Sequence, residues 1–262
     1  MAIGTAVGIG VISSAIWAGI GAGGYGLSQP IYRYWATRRP IGRLLRRNSK
    51  RSVLVIQSAV RSADKTEYFK YLVTPDCVTG YYHLHERLRD VGYSSEQIFV
   101  RFPAELTPDG LSSHDIVLIG GYENNQISAD MNSDNQAVYL ENNKIYVRGK
   151  QIPYDIALVG GSVRKDYCLI SRRPNPFASG LSDSWIVAFE GIRHYGTEAG
   201  IRFLTAHNMR DAIFAQARAA SEVYIVISCG VTHVTDSSYS LKEIKVEYVW
   251  IDGKVHDVSA KQ

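Results

Sequence analysis

The stretch Asp115–Asn125 reads D-I-V-L-I-G-G-Y-E-N-N, an apolar run followed by two glycines and two amides. The run is short and rich in β-branched residues, which is typical of a strand buried on both faces. Glycines at the end of such a strand let the backbone approach a ligand, and open α/β sheets bind ligands at that edge. The stretch therefore predicts an α/β fold with Gly120, Gly121 and Asn124 in its binding site.

Further apolar runs extend this prediction in both directions. Ser52–Ser58 resembles the first strand, and Cys77–Val91 has the pattern of a helix that ends at Gly92. The alternation of strands and helices predicts a Rossmann-like, mostly parallel sheet. Residues 122–172 are expected to be richer in β-structure, with a hairpin turn at residues 141–143. The other predicted strands include Gln97–Phe102, Ala137–Leu140, Lys144–Arg148, Ile156–Val159, Tyr167–Ser171, Trp185–Phe189, Val223–Ser228 and Leu241–Ile251.

Two more segments place polar chemistry near the ends of predicted strands. Asp166–Phe177 reads D-Y-C-L-I-S-R-R-P-N-P-F, and its two arginines are fixed charges that could pair with phosphate or carboxylate. Trp185–Gly200 runs from a strand into a helix whose cap would be Thr197 and whose free N–H groups would face the same edge. The plainer alternatives are a turn, a helix cap and salt-bridged arginines. The ligand-binding residues predicted in this way are Gly120, Gly121, Asn124, Arg172, Arg173, Asn175, Gly191, His194, Gly196 and Thr197.

None of these segments matches the G-x-G-x-x-G fingerprint or a P-loop, so ordinary dinucleotide or Walker-type binding is unsupported. We predict no cofactor. The cysteines are widely spaced, and His83 and His85 point to different faces of a helix, so no metal site is predicted either.

The segments resemble a poorly characterised prokaryotic family of α/β domains. Its members carry a strand ending in V-x-I-G-G-P-x-x-N, an N-P-F segment, and a strand followed by A-G-x-x-x-x-G-T. The resemblance covers roughly residues 52–205, and it implies a fold and a pocket but no reaction. This chain departs from the family at Tyr122, Cys168 and Glu190. The residues that match the family are Gly120, Gly121, Asn124, Tyr167, Asn175, Pro176, Phe177, Gly191, Gly196 and Thr197.

Three residues support an alternative, catalytic hypothesis. Cys229 follows a predicted buried strand, where some cysteine hydrolases place a nucleophile, and His194 could be its base. Glu190 could be a general base if it lines the pocket. The alternatives are a buried inert thiol and a glutamate in a salt bridge.

The first 51 residues differ from the rest of the chain. No charged residue occurs between Ala2 and Tyr32, and the apolar part is long enough to cross a bilayer as one helix. Residues 1–51 hold eight bases and no acid, whereas residues 52–262 hold 21 bases and 25 acids, a net charge of −4. We therefore predict a transmembrane anchor over 1–28, a basic juxtamembrane linker over 29–51 and a cytosolic α/β domain over 52–262. The bases that follow the apolar run place the N-terminus outside a prokaryotic inner membrane.

These observations favour a binding protein over an enzyme. We expect a single-pass membrane protein whose cytosolic domain binds an anionic ligand, nucleotides being one such class. It would act through assembly of the membrane helix, as a sensor or a defence-type effector. The expected partners are the membrane and further copies of the chain, and specific nucleic-acid binding is disfavoured. The alternatives are a membrane-tethered hydrolase and a structural, oligomerising scaffold.

Overall fold

The computed structural model describes the body of the chain with short gaps. The predicted anchor and linker lie outside the described residues, and so does Asn124. Within the described part, no helix is both long and apolar enough to span a membrane. The described residues are 52–57, 60–61, 71–72, 75–121, 125–134, 137–152, 158–159, 162–178, 184–205, 217, 219–235 and 238–256.

An eight-stranded sheet lies at the centre of the domain. Its middle strands are apolar runs buried along their whole length, as their β-branched composition predicts. With strands numbered along the chain, the order across the sheet is β15 (Lys254–His256), β14 (Ser238–Ile251), β13 (Val223–Thr235), β11 (Lys165–Pro174), β12 (Trp185–Gly191), β5 (Asp115–Ile119), β1 (Val53–Gln57) and β4 (Ile98–Arg101).

Smaller elements surround this sheet. Two-residue strands pair as β2 (Val60–Arg61) with β3 (Tyr71–Leu72) and as β9 (Leu158–Val159) with β10 (Ser162–Val163). A three-stranded sheet contains β6 (Val138–Glu141), β7 (Lys144–Val147) and β8 (Lys150–Gln151). The described helices are α1 (Pro75–Asp90), α2 (Pro108–Ser113), α3 (Gln126–Asp134) and α4 (His194–Thr205), with 3-10 turns at Ser95–Gln97 and Pro103–Glu105.

The prediction of a mostly parallel sheet preceded by a transmembrane helix is wrong as a description of this fold. The sheet is mixed: β4, β1, β5 and β12 are parallel neighbours, whereas every pairing from β12 to β15 is antiparallel. The reason lies in the connections. Only residues 175–184 separate β11 from β12, and a parallel crossover needs a dozen residues or more. Only two residues separate β13 from β14 and two separate β14 from β15, too few for a parallel crossover.

Helices cover the two faces of the sheet. On one face α1 and α4 pack over the largest apolar cluster, which includes Leu84, Leu88, Ile201 and Leu204. On the other face α2 and α3 pack over a second cluster through Leu111, Ile127 and Met131. The sheet formed by β6, β7 and β8 continues the cover of this second face over β11 and β13. The chain therefore leaves β1 and β5 on opposite faces of the sheet.

The contact between α4 and β11 is close because Gly196 has no side chain. A Cβ at this position would overlap the backbone carbonyl of Tyr167 and come within 3.1 Å of Asp166 Oδ2. Gly196 thus packs the start of α4 directly on the backbone of β11. Its identity is explained by packing, whether or not a ligand approaches it.

We expect Gly196→Ala to lower the free energy of unfolding by about 1–3 kcal/mol, because the new methyl group meets rigid backbone. The matched control is Gly110→Ala, at the third residue of α2 as Gly196 is at the third of α4. Its Cβ would meet only the Thr107 hydroxyl oxygen, at 3.2 Å, so its stability should change little or rise. Urea unfolding of the full chain measures both changes, and equal effects would contradict the packing role.

Candidate functional site

The carboxyl ends of the parallel strands meet at one edge of the sheet. β1 lies between β4 and β5, and the chain leaves β1 and β5 on opposite faces. Such a change of direction opens a crevice at the strand ends, where open α/β sheets bind ligands. The buried Gln57 ends β1 at this edge, opposite Ile119 of β5. The region beyond the ends of β1 and β5, called the crevice below, is therefore the candidate site.

Gly120 and Gly121 lie at this edge, as the sequence predicts. Gly120 has a φ of +103°, a left-handed conformation that favours glycine, and its N–H donates to Phe189 O at 3.0 Å. A Cβ on Gly121 would lie 2.9 Å from Gly191 O. The two glycines thus bring the turn after β5 against the end of β12.

The second predicted anion site, at the start of α4, is occupied by the chain itself. The buried carboxylate of Asp166 accepts hydrogen bonds from Gly196 N at 2.6 Å, Arg193 N at 3.2 Å and Tyr167 N at 2.8 Å. Thr197 is not the cap; its hydroxyl accepts from Gly191 N at 3.1 Å. A carboxylate in this position accepts hydrogen bonds from the N–H groups at the helix N-terminus, as a bound phosphate would.

Burial dominates the electrostatics of Asp166. Loss of hydration raises the pKa of this carboxyl to about 6, although the three backbone donors and the charge of Arg193 act in the opposite direction. The Asp166 carboxyl therefore titrates in the mildly acidic range.

Arg172 and Asn175 lie away from the crevice. Arg172 is fully buried, donates to Ala217 O at 3.0 Å and to Ala220 O, and lies 4.6 Å from the centre of the Trp185 ring. Asn175 donates to Leu111 O at 2.7 Å and accepts from Phe177 N at 2.9 Å. Because β11 runs antiparallel to β12, these residues lie toward the opposite edge of the sheet from Asp166. The structure does not bring them together with Gly120 and Gly121.

The structure gives Cys229 an unreactive environment. Cys229 is 1% exposed on β13, paired with Asp166 of β11. Burial, with the nearby Asp166 charge, raises the pKa of the Cys229 thiol to about 12. His194 is the exposed first residue of α4, with its ring 3.7 Å from that of Tyr195. At neutral pH the thiolate that a cysteine hydrolase needs is therefore scarce.

Glu190 is the centre of a buried polar cluster under α3. Its Oε1 accepts hydrogen bonds from the Ser128 hydroxyl and, at 2.6 Å, from Asn132 Nδ2. Burial raises the pKa of this carboxyl, and the charge of Arg173 opposes that rise. Arg173 is on the same face of the sheet, since its cross-strand neighbour is Ile186, four residues before Glu190. Of the predicted residues, Glu190, Gly120 and Gly121 thus lie near α3, whereas Arg173 shares their face of the sheet but lies nearer its opposite edge.

Asn125, rather than the predicted Asn124, directly precedes the helix that carries Ser128 and Asn132. Asn125 precedes α3, its carbonyl accepts from Ala129 N at 3.0 Å, and its side chain is 1% exposed. No described residue forms a hydrogen bond with either polar atom of that side chain. Two signals could have identified the cluster. Asn125, Ser128 and Asn132 have the i, i+3, i+7 spacing of one helix face, and I-G-G-P-x-x-N counted from Ile119 ends at 125.

Among the described residues, no group of three or more His, Cys, Asp or Glu side chains could hold a metal ion. No protein-family model matches this chain, and no curated protein is significantly similar to it in sequence. The functional assignment therefore depends on the geometry of the crevice and of the cluster around Glu190.

We expect the stability contributed by Asp166 to fall as the pH rises from about 4 to about 7. The pKa of its carboxyl is about 6 in the folded chain and 3.8 without burial, so the folded state binds the extra proton in that range. The contribution is fully present below the unfolded pKa and is lost through the folded pKa, a change of about 3 kcal/mol. Unfolding of the wild type and of Asp166→Asn across this range measures it. Parallel stability curves for the two proteins would contradict the assignment.

The buried cysteines give a test of the hydrolase alternative. Cys77, Cys168 and Cys229 are all buried thiols outside disulfide bonds, so we expect almost no reaction of the native protein with a thiol-modifying disulfide reagent at pH 7. The denatured chain should release three equivalents of reporter thiolate, one per cysteine in the sequence. Rapid native labelling that is lost in Cys229→Ser would revive the cysteine hydrolase.

Proposed function

We propose that this domain is a ligand-binding module whose crevice takes an anionic ligand of the nucleotide class at the turn between β5 and α3. The observation that carries the proposal is Asn125, a buried amide without a partner beside the glycine turn. Burying an amide without hydrogen bonds costs about 1–3 kcal/mol. Such a group is normally satisfied, so a ligand that bonds to it would recover this free energy.

The turn also has the backbone features of an anion site. α3 has nine residues and no acidic side chain in its first turn. Within the described residues, no side chain accepts from the backbone N–H groups of that turn, and Asn125 Oδ1 itself does not cap them. Free N–H groups and the helix dipole together attract a negative charge. The positive φ of Gly120 favours glycine at this turn, whereas the missing side chain of Gly121 is explained by packing against Gly191 O.

The start of α4 also has backbone N–H groups that need hydrogen-bond acceptors. There Asp166 supplies a carboxylate to the free N–H groups. The start of α3 has no such carboxylate among the described residues, which supports the view that an external anion fills it. Because Asp166 already occupies the start of α4, the start of α3 is the better candidate for the ligand site.

The wider role as a membrane-associated sensor or effector stays a prediction. It depends on the charge and apolar pattern of residues 1–51, which lie outside the described residues. The inner-membrane localisation and the homo-oligomer are predictions for the same reason. The scaffold alternative differs from the sensor in one respect, since it requires no ligand in the crevice.

The proposal is tested with Asn125→Asp in the full chain. The new carboxylate is nearly isosteric, but its burial near Glu190 should lower the stability of the unliganded variant, so each ligand-induced shift is measured from the melting temperature of the same variant without ligand. The carboxylate should also repel an anionic ligand. We expect nucleoside phosphates or inorganic pyrophosphate to raise the melting temperature of the wild type, and we expect Asn125→Asp to abolish that shift.

The matched control is Asn142→Asp, the same chemical change in the exposed turn between β6 and β7. This variant should keep the full ligand-induced shift. No shift in the wild type with any phosphate compound, or an equal shift in Asn125→Asp, would overturn the proposed function.

A further inference from the structure

The buried carboxylate of Glu190 is arranged for a second contact with the same ligand. Glu190 is 3% exposed and lies one residue before the end of β12, the parallel neighbour of β5. Both of its hydrogen bonds, from Ser128 and Asn132, end on Oε1. No described residue donates to Oε2, so one oxygen of a buried carboxylate retains its capacity to accept. A carboxylate with this degree of burial is normally fully paired.

Asn125 and Glu190 are linked through one turn of α3. Asn125 is the residue directly before α3, and Ser128 lies in the first turn of that helix. Ser128 in turn donates to Glu190. The unpartnered amide, the glycine turn and the carboxylate therefore follow one another over a few ångströms, from the start of α3 to the end of β12.

This order suits a particular ligand chemistry. In dinucleotide-binding α/β folds, a glycine turn after one strand takes a phosphate, and an acidic side chain further along the chain takes a ribose hydroxyl. Here the glycine turn follows β5 and the carboxylate is at the end of β12, with adjacent strands about 4.8 Å apart. A carboxylate next to an anion site would repel a ligand that is anionic throughout, so the part of the ligand near Glu190 must be neutral and must donate hydrogen bonds.

We propose that the ligand is a phosphorylated ribose, as in a nucleotide, with its phosphate at the α3 turn and a ribose hydroxyl donating to Glu190 Oε2. Asn125 binds between them, with its amide N–H toward the phosphate oxygens and its carbonyl toward the sugar. Ser128 and Asn132 are positioning residues that hold the carboxylate through Oε1. This inference rests on the proposed function and adds the identity of the group beside the anion.

The ratio of two affinities provides the test. The probes are ribose 5-phosphate, 2-deoxyribose 5-phosphate and inorganic phosphate, titrated into the full chain by calorimetry or by phosphorus NMR. We expect the ribose compound to bind about tenfold or more tightly than the deoxy compound, because a lost hydroxyl leaves a buried charged acceptor unpaired. Glu190→Gln should bring this ratio close to one while phosphate binding persists.

The matched control is Glu198→Gln. Glu198 is also a buried glutamate, 2% exposed, but it bonds to Tyr239 and to Arg202 on the other side of the sheet. Its substitution should leave the ratio unchanged. If Glu190→Gln does not fold, Ser128→Ala replaces it; loss of one donor should lower the ratio in part without affecting inorganic phosphate.

The outcomes separate the two proposals. Binding of phosphate with equal affinity for both sugar phosphates overturns the ribose assignment and leaves the anion site intact. A ratio that survives both Glu190→Gln and Ser128→Ala overturns the role of Glu190. If no phosphate compound binds to the wild type, the proposed function fails and the ribose assignment fails with it.

Discussion

The carboxylate of Asp166 determines how the carboxyl edge of the sheet is arranged. β11 begins at the edge where β12 ends, because the two strands are antiparallel. Asp166, near the start of β11, can therefore reach the backbone N–H groups at the start of α4. These bonds, together with the missing side chain of Gly196, keep α4 in contact with β11. The helix in turn covers the largest apolar cluster of the domain.

This arrangement gives the two helix starts near the edge different chemistry. At α4 an internal carboxylate satisfies the free N–H groups at the cost of a raised pKa. At α3 a buried amide without a partner stands beside the glycine turn. The buried acid near α3, Glu190, is bound from the side by Ser128 and Asn132 and does not cap the helix. The unused hydrogen-bonding groups at this edge of the sheet therefore lie at the start of α3. Both functional proposals depend on this difference between the two helices.

Burial also gives structural roles to residues whose types suggest binding or catalysis in the sequence. Arg172 is a charge suited to phosphate by type, yet its guanidinium donates to the carbonyls of Ala217 and Ala220. Cys229 has the sequence context of a nucleophile, but loss of hydration keeps it a thiol. Asn175 joins β11 to the carbonyl of Leu111. Burial decides the role of Cys229, and the direction of β11 decides where Arg172 and Asn175 lie.

Local sequence patterns are sufficient to predict several strands and turns of this domain. The apolar runs predicted β1 and β5 to within a residue, and the turn at residues 141–143 joins β6 to β7 with two asparagines at positive φ, as in a tight hairpin. Gly120 and Gly121 were placed at the carboxyl edge for the same reason, because they follow a buried strand directly. Periodicity and turn chemistry act over a few residues, so a sequence displays them.

Only the tertiary structure decided the direction of β11, and with it the positions of Asp166, Arg172 and Asn175. The fold also brings Ser128 and Asn132 to Glu190, about 60 residues away along the chain. Strand order and direction follow from the lengths of the connections and from packing between distant segments, and no local pattern encodes these. The pKa of a carboxyl such as Glu190 is likewise set by burial among residues from other strands and helices, which exists only once the chain has folded.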